Sequence, residues 1–359
     1  EDFVYFAKIC FEEFGDRVKN WMTINEPNIN SLMSYILGWF PPAHCSPPFG
    51  NCLAGNSDVE PLIAVHNMIL SHAKAVQLYR EQFQPKQGGQ IGLAVHAFHY
   101  EPYRDDEYSY QAAARAYAFN IAWILDPLVY GEYPPLMQTY LGSDLPTFSE
   151  EEVKLVKGSA DFFGINHYSA LYAVDCFHYP TECPAKYNRP ILGFAATTGY
   201  RDGIPIGNET GYDRFFVVPD GMEKVIDFVH RRYPNTTIYV TENGYNPKGR
   251  SLLLDPDRIE YYKAYLAALS KAMRKGAQVK GYFAWSFMDN FEWLQGYEGA
   301  YGLYYVNRTT LERTPKVSAS WYADFIADRR PRNGGTSTNL NQFSLSEVVK
   351  PATSTTSKA

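Results

Sequence analysis

The sequence predicts an α/β fold built on a parallel sheet, of the (β/α)-barrel kind, and three observations predict it. Short apolar or β-branched runs alternate with amphipathic helical patterns, long stretches rich in Gly, Pro, Tyr and Trp follow three of those runs, and two runs end in a glutamate. Alternation of this type builds parallel strands joined through helices. A barrel of such strands carries its long loops and its working groups at the carboxyl ends. With 359 residues the chain has room for a barrel domain of ~250 residues and its decorations.

Taken in order, Phe3, Phe6, Ala7, Cys10 and Phe14 recur at helical spacing, which predicts a first helix with that face inward. Residues 18–26 are the first strand. Ser57-Asp-Val-Glu60 has the form of a capping box with Pro61 just inside, and Leu62, Val65, Ile69, Ala73 and Val76 give the helix behind it one apolar face. Residues 90–96 are the second strand, and 162–168, after another capping box at 149–152, the third. Residues 237–242 are the fourth. Asp255-Pro256 then opens a helix carrying Ile259, Tyr262, Leu266, Leu269 and Met273 to a stop at Gly276. Residues 279–286 are the fifth strand. The stretches 27–56, 169–218 and 288–300 read as inserted loops over the carboxyl rim. From about Ala327 the composition turns to Arg, Asn, Gly, Ser, Thr and Lys without a period, predicting a disordered tail over 327–359 behind a domain of residues 1–326.

Several function classes are disfavoured. Lys and Arg total 33 against 39 Asp and Glu, a formal charge of −6 with no basic block, so neither a nucleic acid backbone nor an anionic membrane surface is an expected partner. No apolar run approaches the ~18 residues of a membrane span. Gly88-Gly89-Gln-Ile-Gly92 precedes a strand instead of following one, and reads as a turn, not a pyrophosphate cradle. His96 with His99, and His66 with His72, lack zinc-site spacing and read as core or surface histidines. No cofactor and no metal is implied.

Aromatic residues at 16% suit stacking on flat carbohydrate faces and suit an aromatic core equally well. Cys45 and Cys52 bracket a Pro-, Gly- and Asn-rich loop where a disulfide would fit and would imply an oxidising compartment. Cys176 and Cys183 repeat the spacing, while Cys10 is expected as a free buried thiol. Asn208, Asn235 and Asn307 each head an Asn-x-Thr glycosylation triplet.

The chemistry concentrates in two carboxylates. Glu26 ends Trp21-Met-Thr-Ile-Asn25-Glu26 and is followed by Pro27, which cannot continue a ladder. Glu242 ends Thr237-Ile-Tyr-Val-Thr-Glu242 and is followed by the turn pair Asn243-Gly244. A lone strand-end glutamate is ordinarily a solvated turn residue. Two of them on one rim, each beside an Asn, point to paired-carboxylate chemistry, in which one acid protonates a glycosidic oxygen and the other attacks the anomeric carbon. Between Trp285 and Trp293, indole faces for sugar C–H surfaces sit beside Glu292, a carboxylate that needs partners if buried.

Thr23-Ile24-Asn25-Glu26-Pro27, Val240-Thr241-Glu242-Asn243-Gly244 and the Trp285 to Trp293 segment resemble the three hallmark motifs of glycoside hydrolase family 1, the retaining β-glucosidases. The Cys45 and Cys52 loop, with Ala54-Gly55 and Glu60-Pro61 behind it, is similar to that of plant members. The resemblance implies a (β/α)8 barrel of which this chain holds about the fourth to eighth units. The first three strands, with a Gln and a His that grip the sugar in relatives, are not in it. It implies Glu26 as acid then base, Glu242 as nucleophile held by Tyr168, and Asn25 on the sugar 2-hydroxyl. Trp285 would form the floor, Glu292 and Trp293 would bind distal hydroxyls, and Tyr301, at a position usually Phe, would line the pocket. The expected activity is hydrolysis of β-D-glucosides in the secretory pathway, with Glu26 arguing against a thioglucosidase. The alternative is a non-catalytic relative that binds sugar weakly or associates through exposed barrel edges.

Overall fold

Apolar runs too short for helices become strands here, and all five expected strands form within two residues of their expected ends. The structure, a computed structural model, describes residues 1–249 and 253–328. Helix α1 (Asp2–Phe14) leads to β1 (Asn20–Asn25), the short α2 (Pro27–Ser31) and, past a long loop, α3 (Glu60–Leu78) and α4 (Gln84–Gln87). Strands β2 (Gln90–His96) and β3 (His99–Pro102) follow, then α5 (Glu107–Tyr117), α6 (Trp123–Tyr130), α7 (Pro135–Leu141), α8 (Glu150–Val156) and β4 (Phe162–Asn166). An insert carries β5 (Ala170–Asp175), β6 (Ala195–Thr198), β7 (Tyr200–Arg201), β8 (Ile204–Pro205), β9 (Asn208–Glu209) and β10 (Phe216–Val217). Helix α9 (Asp220–Arg232), β11 (Thr237–Asn243), α10 (Pro256–Arg274), β12 (Val279–Ala284), β13 (Tyr304–Val306), β14 (Arg313–Pro315) and α11 (Val317–Asp328) complete the order.

The main sheet runs β1-β2-β4-β11-β12, with every neighbouring pair parallel. It is a run of consecutive β/α units of a barrel. Strand β4 is buried at every position, as a central strand covered on both faces should be. Strands β1 and β12 form the two edges and alternate between exposed and half-buried residues. Leu62, Val65 and Ile69 of α3, Met222 and Val225 of α9 and Tyr262 and Leu269 of α10 pack against Leu93, Val95, Phe163, Ile165, Ile238 and Val240 of the sheet.

Local expectations fare unevenly. The 149–152 capping box forms in full at α8, but Ser57 does not cap α3, whose N-cap is Val59. The Ser57 hydroxyl is drawn into the loop instead, accepting from Ser46 N–H at 2.8 Å and donating to the Ile36 carbonyl at 3.0 Å. On α1 it is Ala7 and Phe11 that are buried, whereas Phe6 and Phe14 are exposed. Phe11 lies between Trp21, Tyr79 and Phe83, and that contact sets the rotation of the helix. Cys10, next to Phe11, is free but only half-buried, a correction to its expected burial. Met273 likewise points outward.

The first expected loop opens helically as α2 and a π-helical turn over Leu32–Ile36, because Pro27 is pre-set for a first helical turn. The second adds β5 and β6 to β3 in a small separate sheet, β3-β5-β6. Both Cys45–Cys52 and Cys176–Cys183 are disulfides. Helix α11 runs through Asp328, so the first two residues of the expected tail are helical; the rest lies outside the described residues.

Candidate active site

Each of the five sheet strands delivers a side chain to one rim. Glu26, just past β1, has φ 49° and ψ 54°, a left-handed conformation unusual for a residue with a side chain. Its backbone N–H donates to the Ala94 carbonyl at 2.9 Å and its carbonyl accepts from Asn30 N–H at 2.9 Å. These bonds, with Pro27 starting α2, hold the strained turn. Asn28 braces it from below, donating to the His96 carbonyl at 2.8 Å and accepting from His96 N–H at 3.2 Å.

Asn166, at the end of β4, sits between the acids. Its Nδ2 donates to Glu26 Oε1 and to Asn25 Oδ1, both at 2.9 Å, while its Oδ1 accepts from the Thr241 hydroxyl at 2.5 Å. His96 Nδ1 lies 3.2 Å from Glu26 Oε1 and donates to it when that carboxylate is ionised. Glu242 Oε2 accepts from the Tyr168 hydroxyl at 2.6 Å. Burial first, and the Glu26 charge second, push the Glu242 carboxyl up to about 8, against the hydrogen bond from Tyr168 that favours its ionised form. Burial also holds the Tyr168 phenol well above its ordinary value, so it stays a donor.

A second cluster flanks this pair. Trp285 Nε1 donates to Glu292 Oε1 at 3.2 Å, the partner that the buried Glu292 requires. Burial raises the Glu292 carboxyl despite that bond. Tyr301 is buried edge-on to Tyr168, with ring centroids 6.1 Å apart. Trp293 is exposed and stacks at 5.1 Å on Phe40, which precedes the disulfide loop. Beside the pair, the insert and Lys248 enclose a cleft of about 1170 Å³ whose lining includes Tyr103, Tyr187, Tyr200, Tyr212 and Phe215. Phe215 of that lining stacks on Tyr168 at 5.2 Å.

The structure therefore brings Glu26, Glu242, Asn25 and Tyr168 together, with Trp285, Glu292 and Tyr301 alongside, and leaves Trp293 at the outer edge. Sequence reasoning missed Asn166 as the bridge and set His96 aside as a core histidine. Strand-end position, the signal used for the glutamates, marks both of these residues too.

The glycosyl hydrolase family 1 profile matches residues 1–331, and the chain belongs to that family. Beta-glucosidase 47 of Arabidopsis thaliana is 47% identical over 331 residues, covering 92% of this chain and 60% of its own length. A rice protein, "Probable inactive beta-glucosidase 14" of Oryza sativa subsp. japonica, is 45% identical, covering 91% and 64%. Among solved structures, a beta-glucosidase from the fungus Humicola insolens in complex with glucose superposes with a TM-score of 0.85 at 37% identity, over 91% of this chain and 69% of that one. The chain thus spans less than two thirds of the length of these plant relatives.

Proposed function

We propose that the site hydrolyses β-D-glucosides by double displacement. The observation that carries the reading is that Glu26 and Glu242, from separate strands, meet at Asn166, whose amide donates to Glu26 at 2.9 Å and which stands beside Glu242 in the β4–β11 register. The coupled pair holds one proton, and in the reactive form it sits on Glu26. In the first half-reaction Glu242, ionised and held by Tyr168, attacks the anomeric carbon while Glu26 gives that proton to the departing glycosidic oxygen. In the second, Glu26 takes a proton from water as that water attacks the glycosyl ester and frees Glu242. Asn25 is suited to the 2-hydroxyl because Asn166 already engages its Oδ1, and the amide N–H groups, unpartnered among the described residues, can meet the sugar. Trp285 supplies the floor, and Glu292 and Trp293 the partners of the distal hydroxyls. The aglycone leaves toward the tyrosine-lined cleft of the insert.

The retaining chemistry requires carboxyls ~5 to 5.5 Å apart. Covalent trapping with an activated 2-fluoro-glucoside tests it, with a label expected on Glu242. No label, or inversion of configuration in the product, defeats it.

A second reading, a non-catalytic relative that associates through its sheet edges, is favoured by the exposure of Met22 on β1 and Phe283 on β12. The same labelling experiment separates the two. Both disulfides support passage through an oxidising secretory compartment. There Asn208 and Asn235, both exposed, are the more accessible glycosylation acceptors. Asn307 is half-buried, and its Oδ1 already accepts from the N–H groups of Thr309 and Thr310.

A further inference from the structure

Of the buried cations that take no part in this chemistry, two lie behind the site's loops. Arg258, on α10, is wholly shielded from solvent, and Lys316, just before α11, is 2% exposed. A buried cation is costly unless its donors are met, so what these groups hold is informative. Arg258 Nε donates to Asp255 Oδ2 at 2.7 Å, Nη1 to the carbonyls of Tyr245 at 2.8 Å and Tyr301 at 2.5 Å, and Nη2 to that of Ala300 at 2.6 Å. Lys316 Nζ donates to Asp289 Oδ1 at 2.7 Å and to the Ala300 carbonyl at 3.3 Å. The same Asp289 oxygen accepts from Gly302 N–H at 2.9 Å.

Tyr245 lies three residues beyond Glu242, and Ala300 and Tyr301 close the loop that carries Glu292. One guanidinium therefore ties the segment behind Glu242 to the loop of Glu292, and the ammonium ties the two limbs of that loop together. A cation retained only to neutralise a carboxylate would spend its donors on it; three of the Arg258 bonds go to loop carbonyls instead.

We propose that Arg258, aided by Lys316, is a positioning residue that sets Glu292 and Tyr301 at a fixed place relative to Glu242 and thereby determines which distal-hydroxyl configuration of a sugar the site accepts. The inference rests on the sugar-cleaving reading above. A lysine at 258 keeps the charge but, as a compact point charge on a flexible stem, cannot serve Asp255 and three carbonyls at once.

The test compares Arg258→Lys and Lys316→Met with the wild type in the full chain, using an aryl β-glucoside, its galacto epimer, the 2-fluoro-glucoside label and amide exchange of residues 292–299. In Arg258→Lys, labelling of Glu242 should persist and KM for the glucoside should rise about tenfold or more. The gluco-to-galacto ratio of kcat/KM should fall by a similar factor, and exchange should quicken. A folded Arg258→Lys variant with KM, selectivity and exchange unchanged overturns the proposal. So does a variant that melts lower but keeps its selectivity per labelled site, since that is a structural role alone. Lys316→Met carries the same test if Arg258→Lys fails to fold. A wild type that does not label on Glu242 defeats the hydrolytic reading instead, and amide exchange then decides the positioning role.

Discussion

Glu242 and Glu26 occupy unlike surroundings although the proposed reaction has them serve one bond, and their substitutions should differ accordingly. Glu242→Gln should abolish the covalent intermediate outright. Glu26→Gln should slow turnover of poor leaving groups by ~10²–10⁴-fold, the usual contribution of general acid catalysis, while sparing activated aryl glucosides in the first step. A leaving-group series read by steady-state kinetics separates the two.

The raised Glu242 carboxyl also makes a stability prediction. Its folded value, about 8, lies above the ordinary carboxylate range, so the folded state holds the pair's proton more tightly than the unfolded chain does. That contribution is complete below the unfolded value and is lost as pH rises through about 8. Glu242→Gln, always neutral, escapes the loss: its melting temperature should exceed that of the wild type near pH 8 and converge with it near pH 4.5. Scanning calorimetry at both pH values checks this, and a difference independent of pH refutes it.

At the scale of elements, two local devices hold the loops and helices that frame the rim. The Ser149 hydroxyl accepts from Glu152 N–H at 3.3 Å, and Glu152 Oε2 accepts from Ser149 N–H at 2.8 Å. Ser149→Ala should cost about 1 kcal/mol, seen as a lower urea midpoint. The Cys45–Cys52 bridge closes a short loop, and removing it should cost roughly 2–3 kcal/mol by loop entropy. It should also act at the site, because the segment that packs on the bridge through Gly38 carries Phe40, which stacks on Trp293. Cys45→Ser with Cys52→Ser should therefore lower the melting temperature and raise KM for glucosides. An unchanged KM would mean that Phe40 does not steady Trp293. Gly38, with φ +68°, packs against both sulfurs and has no room for a Cβ, so Gly38→Ala should mimic part of that loss.

Taken as a whole, the molecule keeps its best burial in the middle of the sheet and its worst at the edges. The described residues expose Met22 by 51% on β1 and Phe283 by 56% on β12, with Phe287 and Phe291 beyond. Unpaired parallel edges and apolar patches favour association. By itself this chain should bind a hydrophobic dye and self-associate as concentration rises, and its turnover should be low. A polypeptide supplying further parallel β/α units should suppress dye binding and raise turnover. Light scattering that shows a dye-free monomer with unchanged turnover would contradict this.

The sequence by itself determined the alternation of strands and helices, because burial on a parallel sheet demands continuous apolar runs whose ends Pro27 and Asn243-Gly244 mark. It also determined that two glutamates share a rim, since every parallel strand ends on the same side. Tertiary structure alone decided the rest. Asn166 meets Glu26 across 140 positions of chain, Arg258 meets Tyr301 across 43, and Phe11 turns α1 away from its most regular apolar face. Ser57 forms no cap because a loop contact competes for its hydroxyl. Periodicity and end signals report what a residue does within its own element; which partners converge on it depends on strand order and packing, and those are set only when the sheet assembles.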